Sequence, residues 1–344
     1  MPNTIRLLLL ADTHLGVTPR RRGDDFMRNY LAALEPAFRK EVDVVVHGGD
    51  VFDHPNIKPA LAYRALQPLL RIAETGIPVI IVPGNHERSQ LQHPRFAEHP
   101  CIHVFDRPRT FRLSIGGHRI AFAGFPFVRN VRQSFCQLLE DTGWRDEDAD
   151  CKILCVHQCV EGARVGPADF TFTTASDVIR ARDIPRELTA VLSGHIHRQQ
   201  VLKLAAPVIY PGSTERTAFA EMRETKGYMI LELPGLEYEF RELRARPMRF
   251  ERVAVDGLNA EHVEAAMRSI VASTPPDAIL RLRITGELIA AARSIVTVSC
   301  LRTFAPASMS IDIRTDAAEA FRAAQWQTRR TPSARADAQI DLTF

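Results

Sequence analysis

"IRLLLLADTHLG", residues 5–16, is an apolar run that stops abruptly on an aspartate, a histidine and a glycine. As a secretory leader it is too short, carries a single Arg, and meets Asp12 where a small-residue cleavage site would stand. As a strand covered on both faces it makes sense, because such strands in parallel sheets are continuously apolar rather than alternating. The same texture returns at residues 42–46 and 79–82, with amphipathic segments at 25–40 and 58–74 between the runs. That order is β-α-β-α-β. Right-handed crossovers then make the sheet parallel, and ligands of such sheets collect at the carboxyl ends of the strands.

Further along, residues 111–115 and 119–123 flank "GGH" as a hairpin, and "CKILCVHQC" (151–159) and "LTAVLSGHIHR" (188–198) read as strands that end on histidines. Residues 208–210 and 228–233 read as two more strands. At "RELRARPMRFER" (241–252), five Arg stand against two Glu and the texture changes, which marks a linker and a second unit. Beyond it, helical spacing over 261–271 and strands at 278–284 and 294–300 predict a small α+β domain, followed by a helix at 317–327 and a polar tail. The expected organisation is therefore 1–243, 244–315 and 316–344.

The chain has 344 residues, 45% of them hydrophobic, enough for a substantial core. Lys and Arg number 44 against 41 Asp and Glu, so a net charge of +3 announces no general affinity for nucleic acid, and any such partner must be met locally. Arg20, Arg21 and Arg22 form one local cluster, followed at once by Asp24 and Asp25. No apolar stretch approaches the roughly 20 residues of a membrane span, and the expected location is the cytoplasm. Six cysteines fit no disulfide framework and read as free thiols.

The residues just past each strand carry the chemistry. The first run is succeeded by Asp12 and His14, the second by Asp50 and Asp53, the third by Asn85 and His86; later strands end on His157 and on His195 and His197. Taken singly, Asp12 reads equally as a helix cap, Asn85 as a turn former and His157 as a core histidine. Together, Asp12, His14, Asp50, Asn85, His157, His195 and His197 mix carboxylates with imidazoles, which suits manganese, iron or zinc better than magnesium. Seven donors exceed one ion's needs but match two ions sharing a carboxylate. Such ions, roughly 3.5–4 Å apart, clamp a phosphoryl group and activate water, so the implied reaction is phosphoester hydrolysis. Glycines beside the donors (Gly16, Gly48, Gly49, Gly84, Gly194) suit turns that must approach metal and phosphate closely.

"DTHLG", "GDVFD", "GNHE", a lone "VH" and "GHIH", in that order, resemble the five motifs of the calcineurin-like metallophosphoesterase superfamily, over about residues 5–240. "YPGSTERTAFAE" and "KGYMILEL" make the chain most similar to the SbcD-type nuclease subunits of SbcCD double-strand-break repair complexes. The resemblance implies an α/β fold: a two-sheet β-sandwich core flanked by helices, with a small C-terminal α+β cap. It implies that Asp12, His14, Asp50 and His197 hold a first divalent ion, manganese for preference. Asp50 would bridge to a second, held also by Asn85, His157 and His195. His86 would face the scissile phosphate and protonate the leaving oxygen, with Asp53 orienting it. The function implied is a metal-dependent DNA exo- or endonuclease in double-strand-break repair, with DNA, a coiled-coil ABC-type (SbcC-like) ATPase and a second copy of the chain as partners. Where such members carry ATPase-docking helices after the cap, only residues 317–327 read as helix. The alternative is a stand-alone phosphoesterase acting on a nucleotide or small molecule, and a third reading is a non-catalytic scaffold. Seven other histidines (His47, His54, His93, His99, His103, His118 and His262) lie outside the motifs.

Overall fold

The computed structural model describes residues 4–17, 22, 24–87 and 98–315. Arg20, Arg21, His93 and the helix expected at 317–327 lie outside the described residues. The chain divides into two compact units, one running to Thr217 and resuming over Arg223–Ala245, the other made of Ala218–Met222 and the residues from Arg246 onward.

In the first unit, β1 (Ile5–Leu10), α1 (Asp25–Phe38), β2 (Val44–His47), α2 (Pro59–Glu74), β3 (Val79–Ile81) and β4 (Ile102–Val104) succeed one another, and the four strands pair in parallel. A second series is made of β5 (Arg109–Ile115), β6 (His118–Gly124), α3 (Val131–Glu140) and β7 (Cys151–Val156). After four two-residue strands, β8 (Cys159–Val160), β9 (Arg164–Val165), β10 (Phe170–Thr171) and β11 (Val178–Ile179), come β12 (Ala190–Ser193), β13 (Gln200–Leu202) and β14 (Val208–Tyr210). The unit closes with β15 (Lys226–Leu233) and β16 (Glu237–Leu243). Two six-stranded sheets result, in the orders β16-β15-β1-β2-β3-β4 and β13-β14-β12-β7-β6-β5. In the first, the parallel strands β1 to β4 are extended on one side by the antiparallel β15 and β16; in the second, a parallel centre is flanked on both sides by an antiparallel strand.

The run of four leucines in β1 has a simple cause. Leu7 and Leu9 belong to the core between the sheets, with Val44, Val46, Ile80, Phe122, Ile153, Leu192 and Met229. Leu8 and Leu10 face the other way, into the layer made with Tyr30, Leu34, Leu69 and Ile72 of α1 and α2. Because side chains alternate across a strand, a sheet covered on both faces needs apolar residues at every position. The second sheet repeats the arrangement, with Leu154, Val156 and Val191 packed on Phe135 and Trp144. The expected β-sandwich with flanking helices is the fold observed.

The second unit contains three parallel strands, β17 (Met248–Ala254), β18 (Ile279–Thr285) and β19 (Ser310–Thr315), joined through α4 (Ala260–Ala272), α5 (Ala290–Arg293) and α6 (Val298–Arg302). The strand expected at 294–300 is not formed. Thr297 accepts a hydrogen bond from the Cys300 amide and starts α6 instead, and the third strand lies later, at β19. A short β-branched run that includes a good N-cap is ambiguous by pattern, and the cap decides it.

All six cysteines are free, and Cys151, Cys155 and Cys159 are buried as small apolar groups. Among the described residues, no helix is long and apolar enough to cross a membrane. Leu9 is fully buried between the sheets and Leu31 is 39% exposed on α1. Leu9→Ala should therefore cost about 2–5 kcal/mol in urea unfolding, whereas Leu31→Ala should stay within about 0.5 kcal/mol.

Candidate metal centre

The loops that leave β1, β2 and β3 are welded together before any donor is considered. Asp12 N donates to Gly49 O (2.9 Å), His14 N to Asp50 O (3.0 Å) and Leu15 N to Val51 O (2.8 Å), so the β1–β2 pairing continues past the strand ends. The third loop is tied in by Glu87, whose buried carboxylate accepts from Phe52 N (3.1 Å) and Gly84 N (2.8 Å). Loops of the second sheet close on the same point: His157 Nδ1–H donates to Gly48 O (2.7 Å) and His195 N to Asp12 Oδ1 (3.0 Å).

These bonds bring all seven predicted donors together. Asp50 Oδ2 lies 3.3 Å from His157 Nε2, 3.9 Å from His14 Nε2 and 3.8 Å from His86 Nε2. On one side of it, His14 Nε2 and His197 Nε2 are 3.0 Å apart, with Asp12 within reach of both. On the other, Asn85 Oδ1 lies 3.1 Å from His157 Nε2 and 3.0 Å from His195 Nδ1. The outward nitrogen of each ring sets which nitrogen faces in. His157 spends Nδ1 on Gly48, His14 Nδ1 is 3.4 Å from Asp53 Oδ1, and His197 Nδ1 is 3.2 Å from the Thr217 hydroxyl. Such outer partners orient ring ligands and select their tautomer.

The charge balance of this cluster calls for a cation. Burial alone would raise the Asp50 carboxyl, yet His157, His14 and His86 around it hold it well below the usual range. Burial pushes the His157 imidazole down, but Asp50, Asp12 and the Gly48 carbonyl outweigh it and carry its pKa up to about 9. His195 is pushed down to about 3, by burial and then by His157, and so presents a neutral imidazole. Asp12 Oδ2 is completely buried and has no hydrogen-bond donor among the described residues. A buried carboxylate oxygen without a donor, beside inward-facing imidazole nitrogens, is costly unless a cation meets it. The donors present therefore fit divalent metal ions.

The backbone is strained here. Asp12 (φ 51°), His14 (φ 43°), Asp50 (φ 52°) and His195 (φ 80°) are all in the left-handed region, where non-glycine residues are uncommon and which is typical of functional sites. Two glycines are required by closeness. A Cβ on Gly49, itself at φ +107°, would meet His157 Nδ1 at 2.3 Å, and one on Gly84 would meet Asp50 Oδ1 at 2.1 Å.

His86 sits at the mouth, with 37% of its side chain exposed and its ring edge-on to His14. The expectation that the Asp53 carboxylate orients it needs correction. His86 Nδ1 donates to the backbone carbonyl of Asp53, while the carboxylate of Asp53 turns to His14. The turn at Phe52–Asp53 presents its carbonyl, not its side chain, toward the "GNHE" loop.

Several supporting residues stand outside the predicted donor set. Glu87 is visible as the last letter of "GNHE", and its burial is the signal of a tie between loops. His47 is buried, with Nε2 3.2 Å from the Thr13 hydroxyl and Nδ1 accepting from Gly49 N (3.2 Å), so it supports the ligand loop from below. Ser193 joins the β7 and β12 exits by donating to Gln158 O (2.9 Å) and accepting from Gln158 N (3.1 Å). The buried Lys226 ammonium donates to His197 O (2.9 Å) and Glu224 (2.9 Å); nothing in its sequence neighbourhood signals that. The Phe127 ring packs on His195 and His157. Arg22, one of the arginines of the first ligand loop, is buried beside Asp25 and Glu215 rather than presented to a DNA backbone.

A two-sheet sandwich with a histidine- and carboxylate-rich centre at its strand ends defines a class of metal-dependent phosphoesterases. The chain belongs to the calcineurin-like phosphoesterase family, whose model matches residues 5–199, more than half of its length. It is 28% identical over 292 residues to the DNA double-strand break repair protein Mre11 of Methanosarcina mazei, covering 79% of this chain and 45% of that one. The Mre11 protein of Haloferax volcanii is also 28% identical over 292 residues, with 82% and 62% covered. The uncharacterized metallophosphoesterase YhaO of Bacillus subtilis is 27% identical over 246 residues, with 69% and 57% covered. The chain thus spans about half to three-fifths of the length of these relatives. Among solved structures, TT1561 of Thermus thermophilus shares the fold, with a TM-score of 0.50, 14% identity, and coverage of 70% of this chain and 100% of that one.

Gly84→Ala should displace the Asp50 carboxylate and lower the divalent metal retained after dialysis below that of the unaltered protein, measured by mass spectrometry. Gly235→Ala, where a Cβ meets nothing within 4 Å, should leave the metal content unchanged.

Proposed function

We propose that this chain is a two-metal phosphodiesterase that cleaves DNA. The observation that carries the metal assignment is the position of Asp50 Oδ2 between two donor groups. Asp12, His14 and His197 would hold one ion with it, and Asn85, His157 and His195 the other. Imidazole with carboxylate favours manganese over magnesium, with iron and zinc as substitutes. When bound, the pair of ions would lower the pKa of a water and offset charge on the attacking and leaving oxygens.

The remaining work falls to side chains. His86 Nε2, 3.8 Å from Asp50 Oδ2 and exposed at the mouth, would meet the scissile phosphate and give its proton to the departing alkoxide. Its ring is fixed for that task by the Nδ1 bond to the Asp53 carbonyl, which leaves Nε2 free to face the substrate. Asp53, held below the usual carboxylate range by His14 despite its burial, would keep the His14 ring turned with Nε2 toward the metals.

DNA as substrate is supported by the Mre11 relatives, whose similarity covers 79% of the chain and is broader than the family model's residues 5–199. The near-balanced overall charge of +3 favours the second reading, a phosphoesterase of nucleotides or small molecules. Manganese-loaded protein given labelled single- and double-stranded DNA alongside cyclic and linear nucleotides separates them. DNA is expected to be cut; intact DNA beside a hydrolysed nucleotide would favour the alternative.

His86→Ala should lower kcat for bis-p-nitrophenyl phosphate by about 10²–10⁴-fold while manganese content stays unchanged. Equal turnover in the variant and the unaltered protein would remove His86 from the mechanism.

A further inference from the structure

The segment "FPFVRN", residues 125–130, joins β6 to α3 beside the metal centre. Phe125 is buried in the apolar layer of the second sheet, and Val128 packs against that layer. Phe127 joins none of the apolar layers that the described residues form. Its ring lies instead against two imidazoles, 5.7 Å from that of His195 and 6.2 Å from that of His157, and stays partly exposed. Both histidines belong to the donor group assigned above to the second ion.

The backbone holds this ring in place from both sheets. Phe127 N donates to Pro83 O (2.9 Å), just ahead of Asn85, the third donor of that group. Val128 O accepts from Gln158 Nε2 (3.0 Å), next to His157, and Asn130 N donates to the Asp177 carboxylate. Arg129, in the same pinned segment, is exposed, and its guanidinium makes no ion pair with a described residue. Burying an aromatic face is favourable, so a fixed, partly exposed ring that serves no core has surface left to bury against a ligand.

We propose that Phe127 and Arg129 form a nucleotide subsite on the second ion's side of the centre. The Phe127 ring stacks on the base of the nucleotide that carries the scissile phosphate, and Arg129 takes that nucleotide's other phosphate. The inference rests on the phosphodiesterase reading above and specifies its substrate as a nucleotide chain. Every base has a π-face, so stacking on an aromatic ring tolerates any sequence. A guanidinium meets phosphate through paired N–H donors. Ring and guanidinium thus grip the two features that recur along a strand, and they position it without reading its sequence.

The test compares two esters with the same p-nitrophenolate leaving group, thymidine 5′-(p-nitrophenyl phosphate) and methyl p-nitrophenyl phosphate, on the manganese-loaded full chain. The unaltered protein should favour the thymidine ester in kcat/KM, and Phe127→Leu should reduce that preference about tenfold, through KM. Phe127→Tyr, which keeps an aromatic face, should retain it. A ring that merely supports His195 would lower both esters by one factor and leave the preference intact, which would overturn the proposal. In calorimetry, thymidine 3′,5′-bisphosphate should bind more tightly than thymidine 5′-monophosphate, by a margin that Arg129→Gln removes. An unchanged margin would overturn the role of Arg129, and this exposed substitution decides the matter should Phe127→Leu not fold. If the unaltered protein hydrolyses both esters with equal efficiency, the subsite is wrong and the phosphodiesterase reading stands. If it hydrolyses neither, both fall together.

Discussion

The Asp50 carboxylate is buried where the strand ends of two β-sheets converge, and it cannot remain there without positive charge around it. Its Oδ2 faces three imidazoles within 4 Å, while its Oδ1 accepts the His86 amide at 3.0 Å. Burying an ionised carboxylate costs several kcal/mol unless the environment is matched to it. Much of the surrounding architecture can be read as that matching. The "GD" turn after β2 places the group, the "GNHE" loop supplies the His86 amide and one donor, Asn85, and the second sheet delivers three histidines from the far side.

Rigidity of the scaffold makes this possible. Four donors hold left-handed backbone angles that only a surrounding lattice of hydrogen bonds maintains. The lattice is visible in Asp12 N to Gly49 O, in Glu87 bridging two loops, and in His157 Nδ1 bonded to Gly48 O across the interface between sheets. Beneath it lies the apolar layer shared by Leu7, Leu9, Ile153 and Leu192. Hydrophobic burial thus fixes the strand ends, and the polar loops inherit that precision. Among the described residues of this cluster, His86 combines an exposed position with a ring fixed by a backbone carbonyl, which suits the proton-donor role proposed for it.

Much of this is legible in the residues. Strands such as β1 and β7 announce themselves because both faces are covered, and each donor comes directly after a strand end, so position along the chain translates into position in space. The hidden features depend on contacts between distant segments. Lys226 reaches the carbonyl of His197, 29 residues away, and no local pattern encodes it. The role of Asp53 cannot be divided between side chain and carbonyl without the turn geometry, which gives the carbonyl to His86 and the carboxylate to His14. The third strand of the second unit is hard to place from sequence because Thr297 favours a helix start over the strand its β-branched neighbours suggest.

That two ions share Asp50 is the central claim. Anomalous diffraction at the manganese edge from crystals of the manganese-loaded protein measures it directly. Two peaks are expected, roughly 3.5–4 Å apart, on either side of Asp50 Oδ2. A single peak, or two peaks neither of which touches Asp50, would contradict it.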